Sequence, residues 1–128
     1  MKRKLFYRII IGDSRYLSQY VKPGSVHLIV TSPPYWGVLR YTNKDTDKSY
    51  GDLSRIRSKR EFFKQLEYVW RECYKVLASG GVMVVNFQDL ASGAKIYGYT
   101  REVFLAGDYV QSIENAGFYL LSLSFKRG

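Results

Sequence analysis

Four short apolar, largely β-branched runs alternate along the chain with two stretches of helical periodicity, and glycine or proline closes most of them. Leu5 to Ile11 is the first run. It ends at Gly12-Asp13 and predicts a buried strand closed by a turn. Ser14 to Tyr20 fits a short helix stopped by Pro23-Gly24. Val26 to Val30 predicts a second strand, and it runs into Thr31-Ser32-Pro33-Pro34. Two prolines cannot continue a strand ladder, so the chain must leave the sheet there.

Gly37 to Ser58 is polar, charged and aperiodic, and it predicts a long loop of the functional or disordered kind. Lys59 to Ala78 gives the clearest helix. Phe62, Phe63, Leu66, Val69, Trp70, Cys73, Val76 and Leu77 fall on one face, and Gly80-Gly81 follows as the expected stop. Val82 to Phe87 predicts a third buried strand, and Leu90 to Thr100 a loop containing glycine and serine. Arg101 to Asn115 predicts a second helix, with Leu105, Tyr109, Ile113 and Ala116 inward and Gly117 as its stop. Phe118 to Phe125 predicts a last strand. Strands alternating with helices imply one α/β domain over residues 1–128 with a mostly parallel sheet. Ligands bind such sheets beyond the carboxyl ends of the strands, where Asp13 and the Ser32-Pro33-Pro34-Tyr35 segment both fall.

Composition narrows this picture. The 128 residues are 46% apolar and 16% aromatic, enough for a real core, with no internal repeat or linker. One cysteine (Cys73) and one histidine (His27) exclude an internal disulfide and a Cys- or His-rich metal site. Cys73 falls on the apolar helix face and reads as core, and His27, inside a strand, reads as packing. No apolar stretch approaches the roughly 20 residues of a membrane span, and the basic start lacks a signal core. A cytoplasmic protein without a membrane partner is the expectation. A net charge of +9 attracts polyanions, with nucleic acid the commonest and a merely soluble surface the alternative.

The candidate chemistry lies at Ser32-Pro33-Pro34-Tyr35-Trp36. Two successive prolines fix φ and remove two amide donors, leaving a stiff loop rich in carbonyl acceptors. The Ser32 hydroxyl adds another acceptor, so the loop suits a planar NH2 donor. Tyr35 and Trp36 offer faces on which a base could stack, worth about 1–3 kcal/mol per base. On this chemistry alone, a polyproline turn capped by two core aromatics is the stronger reading.

The surrounding sequence changes that balance. The segment resembles the hallmark loop of the amino-group DNA methyltransferases of restriction–modification systems, which is Asp/Asn/Ser-Pro-Pro-Tyr/Phe/Trp after a buried strand. Gly12-Asp13, Tyr50-Gly51-Asp52 and Glu72-Cys73-Tyr74-Lys75-Val76-Leu77-Ala78-Ser79-Gly80-Gly81 extend the resemblance. The last of these is similar to the family's Glu-x-x-Arg-Val-Leu-Lys-x-Gly-Gly. Gly117-Phe118 and Phe125-Lys126 look like a weakened form of its last strand motif. The resemblance implies a partial, incomplete Rossmann-like fold of the S-adenosylmethionine-dependent kind, acting on double-stranded DNA. It implies methyl transfer to an exocyclic base amine, with the serine form of the loop favouring cytosine N4 over adenine N6. A flipped-out base would give its amine to Ser32 and the Pro33 carbonyl, Pro34 would stiffen the corner, and Tyr35 would stack. The same resemblance places Asp13 and Thr31 by the cofactor, Asp13 at its adenosine end.

Other positions carry weaker signals. Asn86 and Asp89 follow the third strand within reach of the site; related cytosine-N4 enzymes carry an acid near Asn86, and the amide here favours a structural or capping role. Arg55, Arg57, Lys59 and Arg60 form a basic run before the long helix, either a solvated surface or a phosphate contact. The family's Phe-x-Gly-x-Gly cofactor loop is absent from these residues, and Gly80-Gly81 and Gly12-Asp13 do not replace it. S-adenosylmethionine binding by these residues alone should be weak or nil. The strand ending at Gly12-Asp13 would lack its neighbours, so rearranged pairing, self-association or docking with a second polypeptide carrying the cofactor loop is expected. The alternatives are a truncated product, a non-catalytic nucleic-acid-binding module of the same fold, and a structured-RNA amino-methyltransferase.

Overall fold

Parallel pairing of β1 (Val26–Thr31) with β2 (Leu77–Val85) frames the protein, seen here in a computed structural model. The structure describes residues 2–36, 52–56, 58–87, 90–92, 101–103 and 105–123; for 90–92 and 101–103 it describes the backbone. Helix α1 (Lys59–Val76) connects the two parallel strands. Because it leads directly into β2, its first turn must lie at the carboxyl end of β1, the end that carries the Ser-Pro-Pro-Tyr loop.

Helix α1 starts where its sequence says it should. The Ser58 side chain accepts from the Glu61 amide at 3.2 Å, giving a Ser-x-x-Glu start. Phe62, Phe63, Leu66, Trp70, Cys73 and Val76 bury the face that the periodicity marks. Helix α2 (Ala106–Asn115) packs on it and adds Leu105 and Tyr109 to the same core, and Ile29, Met83, Val85 and Phe87 cover it from the sheet side. The Trp70 indole donates to Ser112 Oγ at 3.0 Å, and Ser112 Oγ donates to the Tyr109 carbonyl at 2.7 Å. These bonds tie the two helices across the core. Gly117 closes α2 with φ at 110°.

Four expectations are corrected. Leu5–Ile11 forms no strand: Leu5 is 90% and Ile11 96% exposed, because an apolar run becomes a strand only where a neighbour pairs with it. Gly80-Gly81 does not stop α1, which ends at Val76 with Leu77 as its cap. The glycines lie inside β2, where register slips from Val26↔Leu77 to Leu28↔Val82. Gly80 takes φ of 78°, and a Cβ on Gly81 would meet the Ala78 carbonyl oxygen at 2.9 Å, so this bulge needs both. Residues 90–92 of the expected loop and 101–103 of the expected helix instead form an antiparallel pair, β3 (Leu90–Ser92) with β4 (Arg101–Val103), and the rest of that loop lies outside the described residues. The sheets are therefore one parallel and one antiparallel pair among the described residues. Finally, residues 118–123 of the expected last strand are not in a sheet, and Tyr119 to Leu121 are exposed. The expected loop falls largely outside the described residues; Leu53–Arg55 within it is a short 3₁₀ helix. Ser14–Gln19, where a short helix was expected, is 3₁₀ as well.

Among the described residues the sheet is covered on one face only. Leu28 and Val30 on β1 pair in register with Val82 and Val84 on β2, and all four are exposed, Val30 to 70%. Among the described residues no helix is long and apolar enough to cross a membrane.

Candidate active site

The loop at the tip of β1 is a corner with Pro33 inside and the Ser32 side chain at the rim. The Asn86 amide donates to the Thr31 carbonyl at 2.9 Å, binding the two strand tips together. Ser32 is then exposed, Pro33 buried, and Pro34 and Tyr35 half-buried. The Pro34 carbonyl points inward and accepts from the Tyr109 hydroxyl at 3.2 Å. Tyr109 is fully buried, stacked on Phe87 at 4.9 Å and edge-on to Phe63 at 5.0 Å. At the rim, Ser32 Oγ and the Tyr35 hydroxyl lie 3.3 Å apart in a hydrogen bond. Stiffness comes from the prolines and the inward anchor, and acceptor capacity stays at the surface.

Trp36 requires a correction. It is 5% exposed and belongs to the core with Phe62, Phe63 and Leu53, so it presents no open face for a base. The indole is large and apolar enough that the hydrophobic core outcompetes the rim for it. Tyr35 is half-buried and packs against the edge of the same core.

Asp13 and Thr31 stand differently from the loop. Asp13 caps the first 3₁₀ helix, accepting from the Arg15 amide at 2.9 Å. Both its carboxylate oxygens also accept from the Arg15 guanidinium, at 2.7–3.1 Å. The hydrogen-bonded Arg15 side chain holds the Asp13 carboxyl below its usual range, and Asp13 in turn raises Arg15. Arg15 continues to Gln65 on α1 at 2.8 Å. The Thr31 carbonyl is taken by Asn86, which is itself exposed, while Asp89 lies outside the described residues.

The basic run divides. Lys59 pairs with Asp108 at 2.9 Å, Arg55 is half-buried and engaged, and Arg57 lies outside the described residues. Arg60 is exposed, with Lys64 one turn further along α1. These two flank a shallow depression with Lys59, Phe63, Glu67 and Asp108, a surface of mixed charge. His27 is exposed rather than packed. Cys73 is core, as its face predicts, and burial first, then the Glu72 charge, pushes its thiol up to about 11. Among the described residues no cluster of three metal-ligating side chains occurs.

Sequence reasoning gave no role to Glu72, Ser112 or Arg15. Glu72 is 6% exposed on the core face of α1. It accepts from the Ser18 amide at 2.7 Å and from Lys75 Nζ. Burial raises the carboxyl's pKa, but the Lys75 and Ser18 hydrogen bonds outweigh it, and the group titrates below its usual range. A carboxylate between Trp70 and Cys73 on an apolar stripe was the available signal, since buried charge demands partners. A lowered folded pKa contributes stability that is full above the unfolded carboxylate's pKa and is lost as pH falls through the folded one. Glu72→Gln is therefore expected to destabilise at neutral pH by about 1–3 kcal/mol, the worth of hydrogen bonds to a charged group. It should also flatten the acid limb of stability against pH, as read by urea unfolding between about pH 3 and 7.

With this geometry in place, comparison with known proteins is informative. A DNA methylase family profile matches residues 26–124. The Type II methyltransferase M.MjaI of Methanocaldococcus jannaschii is 29% identical over 90% of this chain and 43% of its own length. M.Cfr9I of Citrobacter freundii, also a Type II methyltransferase, is 36% identical over 61% of this chain and 24% of its own. Among solved structures, TTHA0409 of Thermus thermophilus, assigned as a DNA modification methylase and complexed with S-adenosyl-L-methionine, superposes with a TM-score of 0.62 at 31% identity. That match covers 85% of this chain and 40% of TTHA0409. The chain belongs to the amino-group DNA methylase family of restriction–modification type, and its α/β structure is a partial Rossmann-like methyltransferase fold. It spans about two fifths of the length of M.MjaI and of TTHA0409.

Proposed function

We propose that the chain is one partial catalytic domain, the base-holding portion of a DNA methyltransferase that modifies an exocyclic amine, cytosine N4 in preference to adenine N6. The observation that carries this reading is the rim of the corner: Ser32 exposed and bonded to Tyr35, on a proline pair anchored from behind. An incoming base amine replaces the Ser32–Tyr35 bond, donating its two hydrogens to Ser32 Oγ and the Pro33 carbonyl. Tyr35 lies against the ring. Holding both N–H groups in acceptors raises electron density on a nitrogen whose lone pair otherwise delocalises into the base, and fixes its direction. The base must leave the duplex to reach this corner. The serine of the loop, as the family resemblance has it, favours cytosine N4.

S-adenosylmethionine, bound by the Thermus thermophilus relative, supplies the methyl group when present. The described residues do not fit it unaided: Asp13 is engaged through both oxygens by Arg15, and the Thr31 carbonyl by Asn86. The cofactor site is therefore completed by further parts of the family fold, carried by the same polypeptide or by a second one, which cover the bare Leu28, Val30, Val82 and Val84 face. The net charge of +9 supports double-stranded DNA as substrate, with Arg60 and Lys64 at the phosphates.

Calorimetry with S-adenosylmethionine tests this assignment. Weak or no binding is expected for the chain alone, and binding together with methyl incorporation into DNA once those further parts are present. Tight binding by the chain alone contradicts the split cofactor site. Methylation of structured RNA but not DNA contradicts the substrate. DNA affinity should fall steeply between about 50 and 200 mM salt.

A further inference from the structure

The hydroxyl of Tyr109 touches the loop from behind, across 75 residues of sequence, and nothing in the base-holding chemistry requires it to exist. A Tyr at this depth needs a partner for its O–H, and here the partner is the backbone of the loop itself. Its ring is held on three sides, stacked on Phe87 and edge-on to Phe62 and Phe63. Its own carbonyl accepts from Ser112, which in turn accepts from Trp70 on α1. The hydroxyl of this packed ring meets the carbonyl next in sequence to that of Pro33.

We infer that Tyr109 is a positioning residue of the corner, selecting which proline carbonyl faces the base. With both prolines fixed in φ, the remaining freedom of the loop is rotation of the peptide planes. Pinning the Pro34 carbonyl inward removes that freedom behind Tyr35 and leaves the Pro33 carbonyl and Ser32 hydroxyl as the acceptors toward an incoming amine. This inference rests on the base-holding reading proposed above, and helix α2 becomes a strut for the loop.

The chain has three prolines, so carbonyl-13C proline labelling gives few signals to follow. In Tyr109→Phe, which keeps the packed ring, the Pro34 carbonyl resonance is expected to shift, and affinity for deoxycytidine, read at the Pro33 carbonyl, to weaken about fivefold. Ser112→Ala perturbs the same helix without touching the loop and should leave the Pro34 resonance in place. An unmoved Pro34 resonance in Tyr109→Phe, or an unchanged deoxycytidine affinity, overturns the inference. A wild-type Pro33 carbonyl that ignores deoxycytidine overturns the base-holding reading instead, while the Pro34 resonance still decides whether the clamp exists.

Discussion

Ser32→Ala, in a complete methyltransferase, should slow single-turnover methyl transfer by about a hundredfold, the usual effect of removing one preorganised polar contact from a transition state. Ser32 is exposed and its hydroxyl bonds within the loop to Tyr35, so the substitution leaves the core untouched and the loss falls on chemistry rather than folding. Binding of S-adenosylmethionine should not change, because the proposed role of Ser32 is toward the base. Rapid-quench measurement with saturating DNA separates the two effects; an unchanged rate would remove Ser32 from the mechanism.

Trp70→Ala should cost about 3–5 kcal/mol of stability, a large share of what a domain of this size possesses. The indole is 1% exposed, fills the middle of the helix α1 face, and donates to Ser112. Its removal leaves both a cavity and a broken link between the helices. Trp70→Phe should recover most of the packing but not the hydrogen bond, and so fall between. Urea unfolding of the three proteins measures this, and equal stability of Trp70→Ala and wild type would contradict the described core.

Much of this was legible in the sequence because the signals were local. The stripe from Phe62 to Val76 marked α1 and its buried face, and two prolines after Val30 marked the end of β1. Gly117 marked the end of α2. The family was legible for the same reason: a short, rigid motif at a strand end is compact in sequence. What failed depended on partners distant in the chain. Leu5–Ile11 and residues 118–123 have strand-like composition, but pairing is a property of neighbours, and these segments lie exposed. Gly80-Gly81 looked like a helix stop because glycine pairs often are, whereas here they relieve crowding in a bulge opposite His27. Trp36 looked like a stacking surface because adjacency to Tyr35 says nothing of which way each ring turns. Tyr109, visible as a core position, could not be seen as a support of the loop until the 75-residue gap to Pro34 was closed by the fold.

The central claim is that an acceptor-lined rim at Ser32 and Tyr35 selects an NH2 group. The most direct measurement is an NMR titration of the chain with deoxycytidine and, separately, with deoxyuridine, which carries a carbonyl where cytosine carries its amine. The account predicts shifts at Ser32 and Tyr35 with deoxycytidine and none there with deoxyuridine. Equal responses to both nucleosides, or shifts confined to other parts of the surface, would contradict it.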